Sequence, residues 1–411
     1  MRSLVVGRWA PWPGTSGSRQ RSANVVAGLA GLGEVDLFLL AHPDDAGWAP
    51  PPGAGLARFG RAVRDDRPVR WRDRLASAVP GAVPAVVRRA AVGATRGAFS
   101  AWLDGAYDLV WHVRIESWLA VGDLVDGPAI VDYDDLRDRL LRSRRSSAWP
   151  DPARGPRRGS VGEGMRALSD RAEARAWDRL QRRVATRVDA VVVCSELDRD
   201  RLGLPNAAVV PNGVALPDRA AGRPGVGTPP VVSLHGSLRY RPNADAARLL
   251  VRDVLPRLRA ERPDVFVRLV GDRDEQLADL ADPPLVTLTG RVPDITAELA
   301  RADVVAVPLR EGSGTRIKIL EALAHRIPVV ATSIAVDGLD VVHDRHLLVA
   351  DDPERFASSC ARLLVDLDLR RRLADEGERL VRTGHGGEQA RAAVAALATR
   401  VAGRRPGTEP R

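Results

Sequence analysis

Lysine is almost absent from this chain. Of its 62 basic residues, every one is arginine except Lys318, although either side chain serves on a solvated surface. A lone lysine could mark a site where the planar fork of arginine does not fit, and it could equally be chance. The count alone leaves both explanations open.

Cysteine and long apolar runs are also scarce. The two cysteines, Cys194 and Cys360, exclude a disulfide framework and make a cysteine metal site improbable. No apolar run approaches the roughly 18 residues of a membrane span. The start, Met1 to Trp9, has only a brief apolar stretch and predicts a first strand, so we expect no secretory signal and a cytoplasmic protein.

Aromatic residues are few where nucleic acid binding would need them. The net charge of +9 would attract nucleic acid, anionic lipid or phosphorylated small molecules alike. Only five phenylalanines and three tyrosines occur, and they do not interleave with basic residues to form a platform for bases. We therefore expect no nucleic acid partner.

Short apolar runs alternate with amphipathic stretches, which predicts βαβ units on parallel sheets. The 411 residues exceed what one core usually accommodates. We predict an α/β protein with two doubly wound, Rossmann-like domains that face each other across a cleft, because such sheets bind ligands beyond the carboxyl ends of their strands. The predicted segments are residues 1–214, a hinge at 215–230 and a second domain at 231–380, with 381–411 as a C-terminal helix and tail.

The predicted elements follow this alternation. In the first domain we expect strands at 4–7, 35–40, 109–112, 129–132, 190–194 and 208–210, with helices at 17–32 and 165–186. In the second we expect strands at 231–235, 265–270, 285–289, 304–307, 328–331 and 346–349, with helices at 244–259, 294–300 and 315–325 and three more before residue 401. Residues 50–101 show no clear pattern, and 142–164 have the composition of a mobile surface loop.

Two loops have features of anion sites. After the first strand, a turn containing Gly17 and Ser18 leads into a helix, whose N-terminal N–H groups favour an anion. It lacks the spacing of known phosphate motifs, so Ser16 or Ser18 capping an ordinary helix is an equal alternative. After the strand at 304–307 comes a second such loop, Glu311 to Lys318.

The second loop carries the stronger signal. Thr315 is placed to cap the following helix, and Arg316 and Lys318 put two cations in its first turn. Cations there oppose the helix dipole, at about 0.3 to 1 kcal/mol each, unless an anion lies between them. Glu321, further along, could accept hydrogen bonds from ribose hydroxyls. The alternative is that both cations pair with surface carboxylates such as Glu311.

Residues 308–332 resemble the donor-binding segment of retaining GT-B glycosyltransferases of family 4. The resemblance is strongest from residue 189 to 380, and it extends in the expected order to Val192-Val-Cys-Ser-Glu-Leu-Asp198, Val210-Pro-Asn-Gly-Val214, Gly236-Ser-Leu238, Val270-Gly-Asp272, Leu288-Thr-Gly-Arg-Val292 and Ala300-Arg-Ala-Asp-Val-Val305. It implies a donor nucleotide diphosphate sugar, UDP- or GDP-linked, and no required metal or cofactor. We expect residues 381–411 to pack back toward the first domain.

The resemblance also implies site residues. Those toward the donor are Gly17, Ser18, Gly236, Arg239, Gly290, Arg291, Val292, Glu311, Ser313, Gly314, Thr315 and Glu321. Glu321 matches the second glutamate of the E-x7-E motif, which binds ribose. The first glutamate position falls on Ser313, with Glu311 as a displaced substitute. The usual basic pair after the strand at 231–235 is altered, so Arg316 and Lys318 would supply the diphosphate charge and act in catalysis.

One catalytic position departs from the family. The family's histidine should fall within residues 130–135, where Asp134 occupies its place, while His112 on a neighbouring strand is out of register. We expect Asp134 in the catalytic set. Asp132, Asp134 and Asp135 could also bind acceptor hydroxyls or a metal, or form a solvated acidic turn.

The helix predicted at 165–186 is rich in arginine and carries Trp177, with Trp149 nearby. Such a face could contact anionic lipid. Interspersed Asp170, Glu173 and Asp178 support the alternative of ordinary ion pairs along the helix.

The leading hypothesis is a retaining glycosyltransferase that moves a sugar from a nucleotide diphosphate to an acceptor hydroxyl. A nucleotide-sugar 2-epimerase of the same architecture and a catalytically silent nucleotide-sugar-binding protein are the alternatives. The sequence does not specify the acceptor, which could be a glycan, a glycolipid or a secondary metabolite.

Overall fold

A computed structural model describes most of the chain. The described residues are 1–14, 16–64, 73, 76–79, 81–89, 93–143, 161–218, 221, 225–226, 229–272 and 275–403. Most of the loop predicted at 142–164, including Trp149, lies outside them, as does part of the hinge predicted at 215–230.

The first sheet has seven parallel strands in the order β3-β2-β1-β4-β5-β6-β7. Its strands are β1 (Arg2–Gly7), β2 (Glu34–Ala41), β3 (Arg58–Val63), β4 (Leu109–Val113), β5 (Ala129–Asp132), β6 (Ala190–Val193) and β7 (Ala207–Val209). Strand β3 lies within residues 50–101, where the sequence shows no clear pattern. Only Gly60 of this strand is buried, so the strand has no apolar run. The predicted strand at 129–132 is confirmed.

Helices cover both faces of this sheet. They are α1 (Gly17–Ala30), α2 (Ala85–Arg89), α3 (Gly93–Trp102), α4 (Ile115–Val121), α5 (Arg137–Ser143), α6 (Val161–Ala185) and α7 (Glu196–Leu202), with 3-10 turns at Pro43–Asp45, Ala76–Ala78 and Gly122–Leu124. The predicted helix at 17–32 is confirmed, ending two residues early.

The second sheet has six parallel strands in the order β10-β9-β8-β11-β12-β13. They are β8 (Val231–His235), β9 (Phe266–Val270), β10 (Val286–Gly290), β11 (Val304–Val307), β12 (Val329–Ala331) and β13 (Leu348–Val349). The helices are α8 (Arg241–Leu249), α9 (Leu255–Glu261), α10 (Thr296–Leu299), α11 (Ile317–Ala324), α12 (Ser333–Val336), α13 (Pro353–Val365), α14 (Leu367–Gly384) and α15 (Gly387–Ala402). A π-helical segment, Leu250–Val254, joins α8 to α9, and a 3-10 helix spans Glu275–Leu280.

The central strands are apolar on both faces, as parallel strands between helix layers must be. All four residues of β11 are fully buried, and they lie in one large core with the apolar residues of α11 and α13. The final helix leaves this core. Val394 and Leu397 of α15 pack with Val5 and Val25 of the first domain, and a Cβ added to Gly28 of α1 would lie 2.8 Å from Val394 Cβ. The last helix thus joins the first domain.

The strand orders fix where a ligand can bind. In the first sheet the order reverses at β1, between β2 and β4, and in the second at β8, between β9 and β11. Open parallel sheets bind ligands at such switch points, beyond the carboxyl ends of the strands. The loops that follow β1, β4, β8 and β11 therefore border the expected ligand sites. No helix in the described part of the chain is long and apolar enough to cross a membrane.

Candidate functional site

The two domains touch through the loops at these switch points. Gln20 Nε2 of α1 donates to Glu321 Oε1 of α11 at 2.7 Å, and Asn212 Nδ2 donates to Thr315 Oγ1 at 2.7 Å. A Cβ added to Gly314 would lie 2.7 Å from the carbonyl oxygen of Asp134. Position 314 favours glycine because its φ of 70° is left-handed and because the neighbouring carbonyl leaves no room for a Cβ. The sites predicted in the two halves of the chain therefore form one interdomain site.

Two helix N-termini meet in this site without side-chain caps. Ser16 occupies the N-cap of α1 and Arg316 that of α11, and neither side chain makes a capping hydrogen bond. The helices are close, because a Cβ on Gly17 would lie 3.0 Å from Ile317 Cδ1. Uncapped N-termini present free N–H groups and the positive end of the helix dipole. The pair favours an anion.

Two predicted caps are wrong. Ser18 Oγ accepts a hydrogen bond from Arg114 Nη2 at 2.9 Å instead of capping α1. Helix α11 begins at Ile317, two residues later than predicted, and the Thr315 hydroxyl is engaged by Asn212. The Ser18 hydroxyl therefore fixes Arg114 within the first domain, and the Thr315 hydroxyl joins the two domains.

Lys318 lies at the centre of the second domain's switch point. Its Nζ donates to Asn243 Oδ1 at 2.7 Å and would lie 3.0 Å from a Cβ on Gly236, where φ is 127°. Burial, and then the charge of Arg316, lower the pKa of Lys318 to about 7. The only lysine thus contacts the loop after β8 where the family's usual basic pair is altered.

Arg316 is the second cation of the site. Its Nη1 donates to the carbonyl oxygens of Ser313 and Gly314, while Nη2 is buried without a hydrogen-bond partner. The Ser313 hydroxyl is also buried and without a partner. Buried polar groups in proteins are normally hydrogen-bonded, so these atoms point to a ligand. Glu311, by contrast, is close to Arg241, with 3.3 Å between Oε1 and Nε.

The carboxylate of Glu321 is shared by both domains. His235 Nε2 lies 3.2 Å from its Oε2, and Gln20 engages the other oxygen. Burial would raise the pKa of Glu321, but His235, the hydrogen bond from Gln20 and the charge of Lys318 together outweigh it, and the net shift is downward. Glu321 is therefore ionised at neutral pH and able to accept hydrogen bonds.

Arg114 organises the first-domain side of the site. Besides Ser18, its Nη2 contacts Asp134 Oδ2 at 2.8 Å and Asp135 Oδ2 at 3.5 Å. Its φ of 74° is unusual for a non-glycine residue, and such outliers cluster at functional sites. Burial raises the pKa of Asp134, yet the charges of Arg114 and Arg21 reverse the shift and lower it. Burial and the charge of Asp134 raise the pKa of Asp135.

Asp132 has a structural role. It forms a bidentate ion pair with the buried Arg21, at 2.7 and 2.9 Å, and Arg21 also donates to Asn212 Oδ1 at 2.9 Å. The three aspartates are therefore not the solvated acidic turn that the sequence allowed. Within the described residues, no group of three or more His, Cys, Asp or Glu could hold a metal ion.

Some predicted residues lie away from the interdomain site, and others have exposed side chains. The Arg239 side chain is 70% exposed and 3.9 Å from Asp272. Gly290 ends β10, at the edge of the second sheet, followed by exposed Arg291 and half-buried Val292. His112 is fully buried within the first sheet, where burial lowers its pKa to about 3. It is structural, as its register suggests.

Five polar residues of this site are not predicted from the sequence. They are Gln20, Arg114, Asn212, His235 and Asn243. A signal existed for two of them, because His235 ends β8 and Arg114 directly follows β4. The carboxyl end of a strand beside a switch point is where ligand contacts concentrate.

Comparisons with known proteins show the fold of the chain and a family match of its second domain. Residues 229–366 match the family model described as Glycosyl transferases group 1. Sucrose-phosphate synthase from Thermosynechococcus elongatus superposes with a TM-score of 0.67 at 15% identity, covering 98% of this chain and 99% of its own. The fold is GT-B.

Two further structures share this fold. HepE from Anabaena, solved with UDP-glucose, gives a TM-score of 0.63 at 14% identity over 97% of this chain and 100% of its own. WaaG, a glycosyltransferase involved in lipopolysaccharide biosynthesis, gives 0.58 at 13% identity over 98% and 99%. No curated protein matches the chain by sequence.

The lowered pKa of Lys318 predicts a pH-dependent stability. The unfolded chain keeps its ordinary pKa of 10.5 while the folded value is about 7, so above pH 7 the unfolded state binds more protons and folding strengthens as pH rises. We expect Lys318→Met to stabilise the protein near pH 7 and this advantage to shrink toward pH 10. Urea denaturation at several pH values measures it, and parallel pH profiles for the two proteins would contradict the assignment.

Proposed function

We propose that the protein is a retaining glycosyltransferase of family 4, which transfers a sugar from a nucleotide diphosphate to an acceptor hydroxyl. The observation that carries the proposal is the convergence of two uncapped helix N-termini on Arg316 and Lys318. The match of the second domain to Glycosyl transferases group 1 supports it. So does the UDP-glucose bound by HepE, a protein of the same fold.

The diphosphate would lie between α1 and α11. There the backbone N–H groups at Gly17 and Ser18, the Lys318 ammonium and the free Nη2 of Arg316 would stabilise the charge that develops on the departing diphosphate. Catalysis would be electrostatic, because preorganised donors in a water-poor site act most strongly where charge appears in the transition state.

The nucleoside and the donor sugar would extend along the second domain. Glu321 would accept the ribose hydroxyls in exchange for its bond to Gln20. The base would reach the end of β10, at Gly290, Arg291 and Val292, and Arg239 would contact the donor from the loop after Gly236. Gly314 and Thr315 would supply backbone donors near the sugar.

The position of the first motif glutamate belongs to Ser313. Its hydroxyl is buried without a partner, whereas Glu311 lies beside Arg241. Because the Ser313 hydroxyl is neutral, it would not form an ion pair with Arg316 as a glutamate would, and the Arg316 guanidinium could bind the diphosphate. We therefore assign the donor-sugar contact to Ser313 and a supporting role to Glu311.

Asp134 would act from the first domain. Its ion pair with Arg114 keeps it ionised although it is buried. A carboxylate fixed in this way would accept a hydrogen bond from a sugar hydroxyl and stabilise positive charge on the sugar ring. The contact between Asn212 and Thr315 would keep the domains closed over the bound donor, which limits donor hydrolysis by water.

Turnover separates this proposal from its alternatives. Thermal shifts with UDP, GDP, ADP and TDP should identify one preferred base, because a ligand of the folded state raises stability. With the matching nucleotide sugar we expect release of the nucleotide diphosphate and a product with the donor's anomeric configuration, read by NMR. A C2-epimerised donor would indicate the 2-epimerase, and binding without turnover the silent binding protein. An inverted product would refute retention.

Lys318 should matter for the diphosphate and not for the nucleoside. We expect Lys318→Ala to weaken binding of the preferred nucleoside diphosphate by about ten- to a hundredfold, the value of a charge-assisted hydrogen bond, while nucleoside binding changes little. Isothermal titration measures both. Arg252→Ala, which removes an exposed ion pair with Asp279, is the control, and equal losses for diphosphate and nucleoside would refute the phosphate role.

We also propose that α6 contacts an anionic membrane surface. Five arginines of α6 and one just after it are exposed: Arg171, Arg175, Arg179, Arg182, Arg183 and Arg187. Glu173 turns inward to Ser77 and the Ala85 N–H, so it does not neutralise this face, whereas Arg182 pairs with Asp178 at 3.1 Å. Trp177 is buried in the core and contributes nothing to the surface. Met165 and Leu168, which precede these arginines on α6, are also exposed.

Vesicle binding tests this surface. Replacing Arg171, Arg175 and Arg179 by Gln should weaken sedimentation with phosphatidylglycerol-containing vesicles by about a hundredfold, at about 1 kcal/mol per cation. Phosphatidylcholine vesicles should not bind either protein. The control replaces Arg345, Arg371 and Arg372, which are exposed on the second domain, with the same change in charge. An equal loss in both triple variants would show a nonspecific effect of net charge.

A further inference from the structure

An aromatic cluster adjoins the turn before α1, which leads to Gly17 and Ser18. Trp9 and Trp12 follow β1, and His42 and Trp48 follow β2. The rings of Trp9 and His42 stack with centroids 5.8 Å apart, and those of Trp12 and Trp48 with centroids 6.3 Å apart. All four side chains are half-buried. We name these residues the aromatic shelf.

The shelf is held in place by hydrogen bonds between its two loops. Trp48 Nε1 donates to the Trp12 carbonyl at 2.7 Å. Arg19 of α1 donates to the Ala10 carbonyl at 2.9 Å and to Asp45 Oδ1 at 2.6 Å. Because these bonds fix both loops, the rings are ordered before any ligand arrives, which reduces the entropy cost of binding.

Polar groups accompany the rings. Asp45 is only 8% exposed, and its Oδ2 is buried without a hydrogen-bond partner. The Arg64 guanidinium lies over the Trp9 ring, 4.8 Å from its centroid. A buried carboxylate oxygen without a donor costs stability, so Asp45 is a second sign that this region receives a hydroxyl-bearing ligand.

The shelf is continuous with the donor site. Gln20 Nε2 donates both to the Gly14 carbonyl, at 3.1 Å, and to Glu321 Oε1, at 2.7 Å. Gly14 is two residues from Trp12 in the same loop. One side chain therefore bridges the aromatic loop and the carboxylate assigned to the donor ribose, so a molecule on the shelf would lie beside the donor.

We propose that the aromatic shelf binds the acceptor and that the acceptor is a saccharide. A pyranose ring has a C–H face that packs on indole and hydroxyl groups that donate to a carboxylate. Binding sites combine apolar and aromatic walls with a few placed polar groups in the same way. A purely apolar acceptor would have no use for the Asp45 oxygen. The inference rests on the proposed glycosyl transfer, whose acceptor it specifies.

Saturation-transfer NMR tests the shelf directly. The probes are the methyl glycosides of glucose, galactose, mannose and N-acetylglucosamine, with cyclohexanol as an apolar ring alcohol, each measured with UDP present. We expect transfer to the ring C–H protons of at least one glycoside. Trp9→Ala and Trp12→Ala should reduce this signal at least fivefold, while Trp9→Phe, which keeps an aromatic face, retains it. The thermal shift given by UDP should be the same in all these proteins.

The controls separate the two proposals. Trp102→Phe changes a tryptophan that packs on Phe38 and Phe99 away from the shelf, and it should leave the glycoside signal intact. Glycoside signals absent from the wild type, or lost equally in Trp102→Phe, would overturn the shelf as a saccharide site while the UDP shift still supported donor binding. Stronger transfer to cyclohexanol than to every glycoside would overturn the saccharide and indicate an apolar acceptor. Absence of any nucleotide shift would refute the proposed function itself.

Discussion

The buried guanidinium of Arg21 is the contact on which the site depends. It joins α1 to the end of β5 through Asp132, to the Val210 carbonyl and to Asn212. Asn212 in turn donates to Thr315 in the second domain. A buried ion pair adds little net stability, but losing one partner costs about 3 to 5 kcal/mol. The pair therefore serves to fix the direction of α1, whose N-terminus must point at the loop before α11.

The direction of α1 brings positive charges together in the ligand-free protein. Two positive helix ends, Arg316 and Lys318 are collected in one place. The charge of Asp135 acts on Arg316 and that of Glu321 on Lys318, but Asp135 also lies 3.5 Å from Arg114 and Glu321 lies 3.2 Å from His235. Arg114 adds a strained backbone conformation. Three atoms near this point, Ser313 Oγ, Arg316 Nη2 and His235 Nδ1, are buried without a hydrogen-bond partner. A bound diphosphate would relieve this repulsion. The same groups that repel one another in the ligand-free protein are thus already placed to bind the diphosphate.

The sequence predicted the architecture because parallel strands buried on both faces are unmistakable apolar runs, as in β5 and β11. It missed β3, since only Gly60 of that edge strand is buried. The site was predictable where glycines and charges stand together, around Lys318. It was not predictable where contacts come from distant segments: Gln20 and Glu321 are 301 residues apart in sequence. Capping failed for a related reason, because the tertiary contacts of Ser18 and Thr315 override their local preference for helix ends.

The position of the only lysine now has a physical explanation. Arginine stays charged at any pH a protein meets, so at position 318 it would be a permanent buried cation beside Arg316 whenever the diphosphate is absent. Lysine can release its proton, and burial here lowers its pKa to about 7. The compact ammonium also fits between Asn243 and the backbone of Gly236, where a planar fork would need more room. The amine at position 318 can therefore be neutral in the ligand-free protein and charged beside an anion, a change that arginine cannot make.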